Sequence, residues 1–564
     1  MCLILVAALS PLTIEAQAAV RCGGKTRTVT DEDETDRTIT GTNQDDVIIG
    51  TGKSEIIIGR RGDDIICGLG GNDEIVGGKG SGRDNDRIFG GNGEDNLRGA
   101  EGDDVLNGGR GTDTADYSTL DEGIFASLQE ERASATTIDK HDDLIGIENL
   151  TGSPFKDTLI GASSDNHLTG RPGDDILRGL GGTDQLNGGD DADLLEGGPL
   201  RDKILGGDGK DVASYKSSAF AIEANLVTQE VEHPELGGTA EQLDSIEGLV
   251  GTNEKDGLWG NAGNNNLSGL GGDDILVGLE GMDRLDGGKG NDNLDGGRNN
   301  DLLIGGPNRA LPASGPMPLS QRDSQSGDIV TYAASNAVLE ASLKEGTAQE
   351  GPVSDPVGVD ALEGIESIFG SNSTNALTGD GGPNVLIGRG LTDVLKGEGG
   401  NDALIGLAGG DPLVGGLGND YLEGGEGDDH LTPGRGPDQP PMSGTDNDIV
   451  DGGPQSSITG DYLNYFDSAA GVWVDLGAGT ATGEGSDQIS GIEWVNGSPF
   501  QDVLLGNGLF NILAGSDGND SIWGYAGDDE IDGGNGDDYA DGGEGGETVG
   551  DICLDIETPE NCEH

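Results

Sequence analysis

Asp274, Asp283, Asp292 and Asp301 stand nine residues apart, each the sixth residue of a block that opens on glycine and carries leucine in eighth place. From Gly269 to Ile304 the blocks read GLGGDDILV, GLEGMDRLD, GGKGNDNLD and GGRNNDLLI. Carboxylates at fixed intervals, each closing a glycine-rich stretch, suit the binding of a hard cation, because a tight turn lets main-chain carbonyls and an Asp oxygen converge on one point. The elements that must position them are short. The last three residues of each block suit a minimal strand whose eighth residue (Leu276, Leu285, Leu294, Leu303) points inward while its neighbours face solvent. One leucine in nine residues cannot bury itself, so each block is stable only when stacked on copies of itself.

The count extends along the chain. From Gly41 the sixth place is taken by Asp46, Glu55, Asp64 and Asp73, pauses at an inserted SGRD around Ser81, and resumes at Asp86, Asp95, Asp104 and Asp113. The eighth place keeps step as Ile48, Ile57, Ile66, Ile75, Ile88, Leu97 and Leu106. Later runs give Asp157, Asn166, Asp175, Asp184, Asp193, Asp202 and Asp211, then Asp256 and Asn265 ahead of the four aspartates above. A third gives Asn375, Asn384, Asp393, Asp402, Asp411, Asp420, Asp429 and Asp438; the last gives Asp502, Asn511, Asp520, Asp529, Asp538 and Glu547.

These blocks resemble the calcium-binding nonapeptide GGxGxDxUx of RTX (hemolysin-type) proteins. The resemblance implies an all-β chain folded as a right-handed parallel β-roll or β-solenoid, with two nonapeptides per turn and Ca²⁺ between turns stacked on the same edge. It places ions beside Asp274 and Asp292 on one edge and beside Asp283 and Asp301 on the other. The implied ligands elsewhere are Asp46, Asp64, Asp73, Asp86, Asp95, Asp104, Asp113, Asp175, Asp184, Asp193, Asp202, Asp211, Asp393, Asp402, Asp411, Asp420, Asp429, Asp520, Asp529 and Asp538. Glu55 departs from the motif, its longer arm being ill placed for an ion. Asn166, Asn265, Asn384 and Asn511 each fill the second unit of a run, and an amide brings an oxygen without charge. They are expected to be lead-in turns with weak or no Ca²⁺, held by amide hydrogen bonds; drift after duplication is the alternative.

Four segments break the nines, and each has the same parts. DTADYS at Asp113, DVASYK at Asp211, DIVTYA at Asp328 and DYLNYF at Asp461 lead into an alternating run, a polar stretch and an Ile-Glu pair ending at Glu148, Glu247, Glu366 or Glu493. Period-two strands joined by turns are expected, as wider coils inserted in the same solenoid. The division that follows is a signal peptide at 1–19, a cap at 20–40, and repeat blocks at 41–116, 153–214, 251–306, 370–440 and 497–549. Inserted β modules occupy 117–152, 215–250, 328–369 and, with a loop, 441–496. A Pro/Ser-rich loop covers 307–327 and a disulfide cap 550–564.

Composition agrees with this organisation. The chain has 564 residues, 105 acidic against 31 basic, a formal charge of −74, 108 glycines and 4% aromatics. That balance excludes nucleic acid as a natural partner and makes a metal-free compact state self-repelling. Too few large side chains exist for ordinary domain cores, and a thin continuous interior is the better fit. Residues 1–19 read as a cleaved secretory signal without the usual basic start; no stretch suits a membrane span. Export leaves four cysteines after Cys2 is removed: Cys22 and Cys67 near the front, Cys553 and Cys562 at the end. Pairing them in that way would staple both ends of the solenoid, although spacing alone leaves free thiols open.

The histidines (His141, His167, His233, His430, His564) are isolated, and no HExxH or GxSxG occurs. The expectation is a secreted, non-enzymatic protein that folds on extracellular Ca²⁺, with a structural, cell-wall or matrix role and self-association left open. An adhesin or glycan-contacting solenoid is the alternative, for which the modules show no aromatic ladder in register. An exported toxin or hydrolase is the third reading.

Overall fold

A computed structural model describes all residues except 1–36, 79–83, 136–139, 235–239, 308–326, 352–357, 435–445, 455–459, 484, 544–550, 557, 563 and 564. The predicted signal peptide, Cys22, Asp438 and Glu547 therefore lie outside the described residues, as does nearly all of the Pro/Ser-rich loop. The chain forms two units, Met1–Thr252 and Asn253–His564. No α-helix occurs among the described residues, so none is long and apolar enough to cross a membrane.

In the first unit, each nonapeptide contributes one short strand, and successive strands alternate between two parallel sheets. One sheet takes Val47–Ile49, Ile65–Gly70, Arg87–Asn92 and Val105–Arg110. The other takes Thr38–Thr40, Ile56–Ile58, Glu74–Gly78, Asn96–Ala100 and Thr114–Asp116. Partners lie two nonapeptides apart, Ile57 beside Ile75, and four further apart where the SGRD insertion intervenes, Ile66 beside Ile88. Insertion at a turn leaves the register intact because the rungs, not the turns, carry the ladder. The second unit repeats the scheme, with Leu276 beside Leu294 in one sheet and Leu285 beside Leu303 in the other.

The interior is a single file of eighth-position aliphatics from each sheet. Ile48, Ile57, Ile66, Leu276, Leu285, Leu294 and Leu303 are all completely buried. The same burial extends to the sixth-position acids, which sit at the turns. Glycine is needed there: Gly290 has φ of 137°, and a Cβ on it would run into the carbonyl oxygen of Gly272 in the coil before.

The inserted segments are strands, but they are not wider coils. In the first, Ile124–Ser127, Arg132–Ala135 and His141–Ile145 form an antiparallel meander. Its third strand pairs with Val105–Arg110 and its first with Thr158–Ile160. On the opposite sheet, Thr114–Asp116 pairs directly with Asn149–Thr151. The meander therefore adds three rungs to one sheet where an ordinary nonapeptide would add one. In the second segment, Glu223–Asn225, Glu230–Glu232 and Ala240–Asp244 form the same meander in the opposite sheet, against Lys203–Asp208. The second unit also holds one meander on each sheet: Leu339–Ser342, Thr347–Glu350 and Gly358–Glu363 against Leu302–Ile304, and Trp473–Asp475, Thr480–Thr482 and Ser486–Ser490 against Ile449–Asp451.

At the chain's end Cys553 and Cys562 form a disulfide. Cys67 is also disulfide-bonded; its expected partner Cys22 is outside the described residues.

Candidate metal centres along the edges of the roll

Inner sixth-position aspartates use one carboxylate oxygen to hold the stack together. The main-chain N–H of Asp274 donates to Asp292 Oδ1 (2.8 Å), and that of Asp283 to Asp301 Oδ1 (2.8 Å). The same bond joins Asp46 to Asp64, Asp64 to Asp86, Asp73 to Asp95, Asp175 to Asp193, Asp184 to Asp202, Asp393 to Asp411, Asp402 to Asp420 and Asp520 to Asp538. Two carboxylate ladders thus run along each unit, one per edge, with Asp274 and Asp292 on one and Asp283 and Asp301 on the other.

The second oxygen, Oδ2, is buried without a hydrogen-bond partner in Asp64, Asp73, Asp86, Asp95, Asp113, Asp175, Asp184, Asp193, Asp202, Asp211, Asp274, Asp283, Asp292, Asp301, Asp393, Asp402, Asp411, Asp420, Asp429 and Asp520. An unpartnered buried carboxylate oxygen is costly, and a whole row of them points to a missing positive group. Beside each lies a gap kept open by glycine. A Cβ on Gly269 would strike both Asp274 Oδ2 and the carbonyl oxygen of Gly287 in the following coil. The donors are all oxygens, carboxylate and main-chain carbonyl, which is the chemistry of a hard divalent cation. No three His, Cys, Asp or Glu side chains converge on a point among the described residues, so main-chain oxygens have to complete each site. Asp529 and Asp538 occupy the same ladder places, with Asp529 donating its N–H to Asp551.

Burial is the main reason these carboxyls resist ionisation, with acids on neighbouring rungs adding to it. Asp86 and Asp274 are pushed up to about 8, Asp402 to about 9, and Asp64 and Asp73 to about 7. Asp283, Asp292 and Asp411 rise to about 6.

The ends of the ladders are built differently. Asp46 Oδ2 accepts both the N–H and the hydroxyl of Thr42 (2.6 and 2.8 Å). Ser153 gives its N–H to Asp157 Oδ2 and its hydroxyl to Asp157 Oδ1, and Ser498 does likewise for Asp502. In these first turns a second-place hydroxyl gives the acid a protein donor. The lead-in asparagines do use their amides. Asn166 and Asn384 each accept an N–H of their own turn and donate from Nδ2 to the carbonyl of Glu148 or Glu366 (2.8 and 3.3 Å). In Asn511 the oxygen is bonded (2.8 Å), but Nδ2 is buried without a partner. A carboxylate facing those carbonyls would be repelled.

Several ladder members escape a reading by nines. Glu148, Glu247, Glu366 and Glu493, of the Ile-Glu pairs, accept the N–H of Asp113, Asp211, Asp328 and Asp461 through Oε2 (2.8–3.0 Å). Asp328, Asp448 and Asp461 carry the ladder onward from Asp292, Asp420 and Asp429. Asp448 sits in a stretch expected to be loop, yet Asp448-Ile449-Val450 repeats the acid-x-aliphatic signature and could have been found by it. Three meanders also place an acid in a ladder, Asp142, Asp360 and Asp487 accepting the N–H of Asp104, Asp301 and Asp448. Tyr332 and Tyr465, fully buried, donate their hydroxyls to Asp360 and Asp487 (2.8 and 2.9 Å), and Tyr215 to Glu241 (3.0 Å).

These features define a parallel β-roll with oxygen-lined gaps between successive turns. A family model of the RTX calcium-binding nonapeptide repeat (4 copies) matches residues 49–83, 81–115, 151–186, 187–214, 250–281, 277–308, 369–404, 378–411, 405–440 and 505–540. The matches together span more than half of the chain, which belongs to that family. A comparison with curated proteins finds no match.

Proposed function

We propose that this is an exported Ca²⁺-binding protein whose roll closes when the ion fills the gaps between turns, and that its role is structural, at a cell surface or in a matrix, rather than catalytic. The row of buried, unpartnered Oδ2 atoms carries the reading. The ligands are the inner-rung aspartates named above together with main-chain carbonyls of the glycine turns. Extracellular modules need only weak sites, on the order of 10⁻⁴ M, to fill. Export is supported by the Cys553–Cys562 disulfide, which suits an oxidising compartment.

Because Asp274 joins Asp256 below it to Asp292 above it, Asp274→Ala should remove up to two bound Ca²⁺, counted by native mass spectrometry. An unchanged count in a folded variant would refute the assignment of the ladder oxygens as ligands.

A second reading, a glycan-contacting solenoid, gains one observation. The sequence shows no aromatic ladder, but the register brings His430, Tyr462 and Trp494 onto consecutive outward rungs, with His430 stacked on Tyr462 at 4.2 Å and Tyr462 edge-on to Trp494 at 4.9 Å. If this stripe binds sugar, Trp494→Ala should abolish retention of the Ca²⁺-loaded protein on immobilised cell-wall polysaccharide; equal retention would exclude it.

A further inference from the structure

The first meander joins the ladder of the first unit through oxygens of the usual kind. Asp104 and Asp142 are successive rungs, the N–H of Asp104 donating to Asp142 Oδ1 (3.0 Å). Among their free oxygens lies a side chain. Lys140 is 1% exposed, and its Nζ is 3.8 Å from Asp104 Oδ2 and 3.5 Å from Asp142 Oδ2. It also donates to the carbonyl oxygen of Ala100, in the second place of the Asp104 turn, and stands 5.7 Å from the centre of the Tyr117 ring. One carbonyl acceptor and two carboxylates at ion-pair distance thus surround the ammonium.

We propose that Lys140 is the chain's own cation at this step, holding the position a Ca²⁺ takes between other rungs, so that the gap between Asp104 and Asp142 binds no ion. The inference rests on the calcium reading of the repeated turns. A lysine this deeply buried is rare unless paired, and here the pairing partners are a carboxylate of the repeat, a carboxylate of the meander and a turn carbonyl. An ion entering the gap would meet a fixed positive charge within a few ångströms in a poorly screened interior.

The other meanders show that the position is a variable one. In the second, His233 follows the Glu232–Ala240 pair on the middle strand, and its Nε2 lies 2.8 Å from Glu241 Oε1. In the third, the corresponding residue is Glu350, paired with Gly358. Among the described residues, the first two meanders thus bring a basic group to the junction and the third an acid.

Anomalous diffraction from Ca²⁺-loaded crystals of the full chain tests this directly. In the wild type, peaks are expected at the Asp64–Asp86 step and none between Asp104 and Asp142. Lys140→Gln should add one peak there and one Ca²⁺ to the count from native mass spectrometry, while Lys140→Arg should keep the wild-type number. A wild-type peak between Asp104 and Asp142 would overturn the proposal even if Lys140→Gln does not fold, and so would equal counts in the wild type and a folded Lys140→Gln. Absence of Ca²⁺ at Asp64–Asp86 would instead overturn the calcium reading, and this inference with it.

Discussion

Stripped of divalent ions by EGTA at neutral pH, the protein should lose most of its far-UV strand signal and expand, and added Ca²⁺ should restore both in one cooperative transition. The formal charge of −74 is concentrated at turns where acids on successive rungs are joined through one oxygen only. With the other oxygen ionised and unpartnered, every rung repels the next. Filling about twenty sites would add roughly +40 of charge and offset over half of the deficit. At an ion concentration tenfold above Kd, each independent site adds about 1.4 kcal/mol to the folded state, and many such sites exceed the usual net stability of a domain. Mg²⁺, smaller and reluctant to dehydrate, should be a poor substitute. Circular dichroism and size-exclusion chromatography during titration with each ion check this; an unchanged spectrum after exhaustive chelation would sink it.

The second large effect is an inversion of pH dependence by calcium. Burial pushes carboxyls such as Asp64, Asp86, Asp274 and Asp402 up to about 7 to 9, well above the ordinary aspartate range. For groups raised in this way, the metal-free roll is least penalised below about pH 4, where they are protonated whether folded or not. That advantage is lost as pH rises from about 4, where the unfolded chain begins to ionise, through the folded-state values of about 7 to 9. The chelated protein should therefore gain strand signal on acidification from pH 8 to about 4. With Ca²⁺ the carboxylates must be ionised to bind, so protons compete with the metal. The loaded protein should melt lower as pH falls, the reverse trend. Thermal melts across this range with EGTA and with saturating Ca²⁺ decide the matter: parallel curves would refute it.

The periodic part of the fold is legible in the sequence because each rung pairs with one a fixed distance away. Asp64 and Ile66 announce their places by the count alone, and burial follows from the eighth position pointing inward. What cannot be counted is pairing across an insertion. Asp301 finds its next rung at Asp360, and Asp113 finds Glu148, and neither spacing is a multiple of nine. The alternating runs after Tyr117 and Tyr215 are recognisable as strands, but alternation is equally compatible with a wide coil and a meander. Lys140 leaves no trace in the linear pattern, because its role exists only once the meander brings it against Asp104 and Ala100. The aromatic stripe is hidden in the same way: His430, Tyr462 and Trp494 are equally spaced in the chain but separated by segments that follow different rules.

The placement of the meanders sets a rule of parity. Each one gives its sheet two more rungs than the sheet opposite, an excess of roughly 10 Å at the usual strand spacing, so a meander acts as a wedge. Eight strands separate the two meanders of the first unit and ten those of the second. Both numbers are even, which sends the second wedge to the other side and lets the leans within a unit oppose each other. Loss or gain of a lone nonapeptide between them would put both wedges on one side, so such chains can lengthen or shorten without bending only in steps of whole turns.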